Sequence, residues 1–443
     1  MLVKSETDRF AFTPWNAACF FLPLCIQAMS QSLTYPLVGV VVAHGPGGAA
    51  EFSAFAQGLM MMFLIGTTGY GLITTGMVYA RDRIGYARFR QVNTLIIVLQ
   101  ALLQCTLALP WVAPFVFGRL LGLAGTQLEV ARWAMLFGLP AQIGFMLRNV
   151  PQVVLYNEHK TGVANAATIL RIVLTAVIAP GFYALGLVGW KWGCVCLSVP
   201  VFLEAVTMWW VARTDVARLP MKLRGEAKVT TMKVFLFNIP LSLGGFLLMA
   251  AVFMLNAIIN HTENGAEMLA VHLVGIGLIN PLSYGALRNQ AVAIGFPQRN
   301  FRDQRTFLFA LVSGVCLSLA LLPLLLPGVS AWYFCRGQNL LAEQLPLARH
   351  VLWLAMPFLV LQALRGHAEG LAAYRHRPNA VLAGQAVFFG VLVAVLIGLF
   401  HFKAPGYLMG IVSLNCASAA TLLTIRLGLL LARQEEQDMV FTH

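Results

Sequence analysis

Charge is scarce in this sequence. Of its 443 residues, 11% are Asp, Glu, Lys or Arg, 59% are hydrophobic, and the mean hydropathy is +0.77. Soluble domains carry roughly twice that charge, so a water-soluble globular class is excluded. Long polar stretches are missing too: none reaches the ~50 residues of a small domain, which leaves no separate soluble catalytic domain. Acids are scarcest, seventeen against thirty Lys and Arg, for a formal net charge of +13. That excess does not indicate nucleic acid, because the basic residues are spread over short loops with no aromatic-rich polar domain behind them. The eight cysteines (Cys19, Cys25, Cys105, Cys194, Cys196, Cys316, Cys335 and Cys416) mostly sit in apolar runs, without the spacing of a disulfide framework or a zinc site. His-Glu-x-x-His, Gly-x-Ser-x-Gly and the Walker Gly-x-x-x-x-Gly-Lys-Ser/Thr are all absent. The chain is therefore read as no enzyme, with no cofactor and no metal site.

What it has in quantity is apolar runs of the ~20 residues that a membrane-spanning helix needs. Runs near residues 15–42, 53–78, 92–116, 127–155, 163–185 and 189–211 give six spans. A basic linker, 212–233, carries Arg213, Arg218, Lys222, Arg224, Lys228 and Lys233. Six more spans follow near 234–260, 267–296, 306–326, 345–373, 381–400 and 406–431. The first run is too long for a signal peptide and stays as the first helix. The expected fold is an all-α polytopic membrane protein of twelve transmembrane helices in two pseudo-symmetric six-helix lobes, 1–211 and 234–443. With the N-terminus inside, nineteen Lys or Arg fall in cytoplasmic segments, six in outer loops and outer span ends, and five inside spans. This positive-inside pattern predicts a multi-pass protein of the plasma (inner) membrane with both termini cytoplasmic.

The halves echo each other at a nearly constant offset, the one that separates Pro23 from Pro240. Leu22-Pro23-Leu24 matches Ile239-Pro240-Leu241, and Gly48-Ala49-Ala50-Glu51 resembles Gly265-Ala266-Glu267. Tyr70-Gly71 matches Tyr284-Gly285, Arg81-Asp82-Arg83 echoes Arg302-Asp303-Gln304-Arg305, and Leu147-Arg148 matches Leu364-Arg365. In order along the chain, these matches indicate a duplicated six-helix unit. Paired repeats of this kind usually serve alternating access, with substrate held where the repeats face each other. Pro23, Pro36, Pro240 and Pro281 interrupt helical hydrogen bonding in spans one, seven and eight, either as static kinks or as bending points.

Two such lobes, the basic linker and early prolines in spans one and seven resemble the MATE/flippase (MOP) superfamily, which contains multidrug and toxic-compound exporters and lipid-linked oligosaccharide flippases. Within it, Pro281-Leu282-Ser283-Tyr284-Gly285-Ala286-Leu287 and Arg365-Gly366-His367-Ala368-Glu369-Gly370 are most similar to the progressive ankylosis (ANK) protein family. That resemblance implies export of small polyanions such as citrate, pyrophosphate or nucleotides. One departure is that Leu287 is followed at once by Arg288-Asn289-Gln290, where the family pattern carries an acid and then an Arg.

Ionisable groups at membrane depth are costly and tend to face cavities or partners. Arg148, Arg288 and Arg365 each lie about eight residues before the inner end of a span, roughly 12 Å in, with Arg171 and Arg426 at similar depth. Guanidinium groups match carboxylate and phosphate oxygens bidentately and keep their charge when desolvated. Arg148, Arg288 and Arg365 are the candidate anion ligands, with Tyr284, Asn289 and Gln152 orienting the anion. The competing reading has the arginines snorkelling or paired, Arg171 with Glu204 and Arg365 with Glu369 at i and i+4. Asn280, Gln27, Gln31, Asn256 and Gln57 read equally as polar links between helices, and His272 and His367 as packed neutral rings.

Spans one and seven contain no Asp or Glu, so the coupling acids that the resemblance to drug exporters implies are missing from them. An anion leaving a cell that is negative inside gains ~2.3 kcal/mol per charge per 100 mV. The expected partners are a small anionic substrate and the lipid bilayer, with no nucleic acid, and the protein acting as a monomer. The expected activity is export of small organic or phosphate-bearing anions by rocker-switch alternating access. The alternatives are a flippase for lipid-linked oligosaccharide or pyrophosphate lipids and a multidrug exporter of the MATE type.

Overall fold

A computed structural model describes residues 12–30, 34–222, 229–298, 303–338 and 340–441. Gln31, Arg224, Lys228 and Arg302 lie outside the described residues. Every regular element among the described residues is helical, as a bilayer requires, because lipid offers no partner to an unpaired backbone N–H or C=O. In chain order the helices are α1 (Pro14–Ser30), α2 (Thr34–Ala43), α3 (Gly48–Gly66), α4 (Leu72–Tyr79), α5 (Arg83–Leu107), α6 (Gly125–Phe137), α7 (Leu139–Asn157), α8 (Thr161–Ala184) and α9 (Trp190–Arg218). There follow α10 (Thr231–Asn260), α11 (Gly265–Leu287), α12 (Asn289–Gly295), α13 (Arg305–Leu319), α14 (Leu322–Leu325), α15 (Pro327–Ser330), α16 (Leu345–Tyr374), α17 (Pro378–His401) and α18 (Gly406–Phe441). Ten helical stretches among the described residues are long and apolar enough to cross a membrane.

Several span ends differ from the sequence expectation, and proline explains two of them. The third span was expected at 92–116, but α5 begins at Arg83, where Asp82 caps it by accepting from the backbone N–H of Gly85 at 2.6 Å. It stops at Leu107, just before Pro110, and a π-helical turn, Pro114–Leu120, follows. The ninth span, expected to run to Leu326, stops at Leu319 ahead of Pro323 and Pro327. The eighth span is broken at Arg288, between α11 and α12.

The chain divides into two compact units, Ser30–Ser242 and Met1–Met29 with Leu243–His443. Within Ser30–Ser242, α7 lies along α9 and α3 along α6, around a core that includes Phe55, Met62, Ala131, Met135 and Leu197. A Cβ on Gly58 would collide with the carbonyl of Ala131, so α3 and α6 touch backbone to backbone. In the other unit, α16 is the central helix, in contact with α11, α12, α13 and α18. Its core gathers Ile279, Val351, Leu352, Ala355, Leu359 and Ile411.

The sequence duplication recurs in the element boundaries. The offset between Pro23 and Pro240 also separates both ends of α17, Pro378 and His401, from the ends of α8, Thr161 and Ala184. The same offset relates the start of α11 to that of α3, and the π-helical turn Ala331–Gly337 to Pro114–Leu120. It also relates the left-handed turn residues His159 and His376, with φ of 56° and 55°.

Gly366 and Gly370 of α16 are spaced by four, and a Cβ on Gly366 would sit 2.6 Å from the carbonyl oxygen of Leu287. One on Gly370 would meet the carbonyl of Gln290. Small residues at this spacing let helix backbones meet. Gly366→Val is expected to lower the thermal midpoint of the detergent-purified protein by several degrees and reduce its monodisperse yield. Gly390→Ala, at a position with open space around it, should change neither; both are read by size-exclusion fluorescence on a temperature ramp.

Candidate functional site

In the unit Ser30–Ser242, three helices bring charge together in an apolar interior. Arg148 of α7 donates from Nη1 to both carboxylate oxygens of Glu204 on α9, at 2.8 and 2.9 Å. Arg171 of α8 places its Nε 3.2 Å from the same carboxylate, and the Thr168 hydroxyl donates to it as well. The Phe145 ring is 5.1 Å from the Arg148 guanidinium carbon and 5.5 Å from that of Arg171. All three charged groups are buried, Glu204 completely. One carboxylate thus serves two guanidiniums and leaves an excess positive charge. Arg148 Nε and Arg171 Nε and Nη2 make no hydrogen bond, so the cluster retains donors suited to an acceptor-rich group.

Gln152, one turn beyond Arg148, donates to the Tyr156 hydroxyl. A polar column absent from the sequence expectation runs beside it on α5. Asn93 donates to the carbonyl of Met146, Gln100 to the Thr68 hydroxyl at 2.9 Å, and Gln142 of α7 to Gln100 at 3.1 Å. Gln104 is fully buried, and neither amide atom makes a hydrogen bond. The signal was present as Asn93, Gln100 and Gln104 at helical spacing on one face, but the apolar residues between them mask it.

In the other unit, the close approach of α16 to the α11–α12 break organises the remaining candidates. Arg365 precedes Gly366, and Arg288 follows Leu287, the residue whose carbonyl Gly366 faces. Arg365 donates from Nε to Glu369 at 2.9 Å and from Nη2 to Gln385 at 2.7 Å, and Gln385 closes the triangle by donating to Glu369 at 2.7 Å. Phe388 lies 4.8 Å from the Arg365 guanidinium carbon. This charge is balanced and its donors are largely used. Arg288 differs: it pairs with no carboxylate among the described residues, and its buried Nε makes no hydrogen bond. Asn289 beside it is fully buried, donating to Ala286 O at 2.9 Å and Ser313 Oγ at 3.0 Å. Tyr284 is half exposed.

His367 sits between Thr306, 3.0 Å from its Nε2, and Arg426, 3.4 Å from its Nδ1. A guanidinium donating to Nδ1 requires a neutral ring with its proton on Nε2. His272 packs against α18 where Gly410 has no side chain. Among the described residues, no cluster of His, Cys, Asp or Glu could hold a metal ion.

No protein-family model matches the sequence, and no curated protein matches it. Solved structures match the fold. A MOP superfamily transporter from Pyrococcus furiosus, described as having a binding pocket of reverse polarity that suggests a different function, has a TM-score of 0.72 at 19% identity, covering 96% of this chain and 98% of that one. An outward-facing multidrug resistance MATE family transporter of the MOP superfamily scores 0.70 at 18% identity over 98% of both chains. The eukaryotic MATE transporter AtDTX14 scores 0.71 at 14% identity, covering 94% of this chain and 95% of that one. The all-helical fold is therefore that of MATE transporters.

Replacing Glu204 with Gln strands two buried guanidiniums without a counter-charge, a loss on the order of 3 kcal/mol. Glu204→Gln is expected to lower the thermal midpoint in detergent more than either Arg148→Met or Arg171→Met does. Combining it with Arg148→Met should recover part of the loss.

Proposed function

We propose that the chain is a multi-pass transporter that exports small organic or phosphate-bearing anions by rocker-switch alternating access. The observation that carries this reading is Arg288, a guanidinium at a helix break with no carboxylate partner among the described residues and a buried Nε without a hydrogen bond. Such a group needs an acceptor, and a carboxylate or phosphate supplies one bidentately. The excess positive charge around Glu204 points the same way, as does the likeness of the segments 281–287 and 365–370 to the ankylosis family. In the unit that holds Arg288, Arg365 takes part by exchanging Glu369 for an anion, with Tyr284 and Asn289 orienting it; in the unit Ser30–Ser242, Arg148 does so by exchanging Glu204, with Gln152 beside it.

The proposal includes twelve crossings in two six-helix lobes, 1–211 and 234–443, joined by a cytoplasmic linker at 212–233. To the ten apolar stretches it adds α1 with α2, and α5, whose Asn93, Gln100 and Gln104 face the unit's interior. Both termini are cytoplasmic, the membrane is the inner or plasma membrane, and the protein acts as a monomer. The membrane potential drives the anion outward, ~2.3 kcal/mol per charge per 100 mV.

A second reading, multidrug export, is favoured by the shared fold with a multidrug resistance MATE family transporter. The cluster of Arg148 and Arg171 on the single carboxylate of Glu204 has the wrong sign for a cationic drug, and that of Arg365 with Glu369 offers it no net negative charge.

Uptake of labelled citrate, pyrophosphate and ATP into proteoliposomes at set potentials separates these readings. Potential-driven anion flux is expected in wild type, lost in Arg288→Gln and partly kept in Arg288→Lys. Unchanged flux in a membrane-inserted Arg148→Gln, Arg288→Gln, Arg365→Gln triple variant would sink the anion site. Proton-dependent export of cationic dyes, blocked by Glu204→Gln, would establish multidrug export instead. Binding of lipid-linked pyrophosphate without flux would indicate a flippase.

A further inference from the structure

A second basic site lies away from Arg288, within the unit containing α16 and α18. A cavity of about 420 Å³ opens in this unit where Gln298 and Arg375 meet. Its polar wall holds Arg375, Arg426, Gln298 and Gln304, and its apolar wall includes Leu423 and Leu430. Those two leucines are also 63% and 58% exposed on the outside of α18. With Leu427, 58% exposed and one turn along, they form a stripe on one helix face. The cavity is therefore basic inside and opens onto a surface that acyl chains cover in a bilayer.

Its lining carries two arginines, Arg375 and Arg426, against one carboxylate, Asp303. Both oxygens of that carboxylate are engaged by Arg305, at 2.8 and 2.7 Å. Arg426 pairs with no carboxylate among the described residues. One of its N–H groups points at His367 Nδ1, and its guanidinium lies 4.8 Å from the centre of the Phe307 ring, which also lines the cavity. Arg375 directs Nη2 to Gln298 at 3.1 Å. Two guanidiniums thus flank a pocket with amide groups beside them, and the carboxylate in its wall already serves a third arginine.

We propose that this cavity binds the phosphate of an anionic phospholipid, with Arg375 and Arg426 as its ligands, Gln298 and Gln304 beside it, and an acyl chain along Leu423, Leu427 and Leu430. In the orientation proposed above, the cavity faces the inner leaflet, where anionic headgroups attract basic residues. Guanidinium pairs suit a phosphodiester because each offers a planar fork to two oxygens. The apolar wall selects a lipid over a free anion, since a soluble phosphate would gain nothing from Leu423 and Leu430.

The test is native mass spectrometry of the intact protein, delipidated in neutral detergent and titrated with phosphatidylglycerol, phosphatidylcholine or inorganic phosphate. Wild type is expected to retain phosphatidylglycerol over phosphatidylcholine, and Arg375→Gln with Arg426→Gln to lower that retention about tenfold. Millimolar inorganic phosphate should not displace the lipid. Should the double variant fail to fold, Arg426→Lys keeps the charge but loses the fork, and a several-fold fall is expected. Equal retention by variant and wild type, equal retention of the two lipids, or full displacement by inorganic phosphate would each overturn the proposal. Because binding is read without flux, a protein that transports no anion still answers the question.

Discussion

A guanidinium placed among apolar helices has to be given an acceptor, and much of this molecule is arranged by how that demand is met. Desolvating a charge costs several kcal/mol even after relaxation, so each buried arginine fixes the helices around it. Glu204 holds Arg148 and Arg171, and in doing so ties α7, α8 and α9 to a common point. Arg365 is answered within its own helix by Glu369 and across to α17 by Gln385. Where the answer is incomplete, at Arg288 and Arg426, the structure offers positions that an external acceptor can complete.

The two halves solve the same problem with different chemistry. Arg148 and Arg365 occupy equivalent places under the repeat offset, yet the acid for the first comes from α9 and for the second from α16 itself. Thr168 and Gln385 are equivalent under the same offset, and each reaches the local carboxylate. The duplication has kept the backbone frame and the third participant while the acid moved. The cluster around Arg148 carries a surplus positive charge and the one around Arg365 is balanced, so equivalent positions need not share a role.

The helical fold is readable in the sequence because apolar run length is a direct consequence of bilayer thickness, and the duplication because its offset survives in short matches. Helix ends were harder to place. Pro110, Pro323 and Pro327 end helices inside runs that hydrophobicity alone joins together. The Arg365–Glu369 pair follows from i, i+4 spacing, whereas Arg148 and Glu204 are 56 positions apart on different helices, and no local pattern joins them. Asn93, Gln100 and Gln104 did lie at helical spacing, but in a span judged by its mean hydropathy their periodicity goes unseen.

The glycine contact between α16 and the α11–α12 break has a practical corollary. Because Gly366 and Gly370 lie against the carbonyls of Leu287 and Gln290, neither segment can be exchanged alone without forcing the other to retreat. In chimaeras with other proteins of this fold, residues 284–295 and 364–371 form one cassette, to be transplanted together or left in place. A substitution engineered at Arg288 therefore begins with the helix that lies across it.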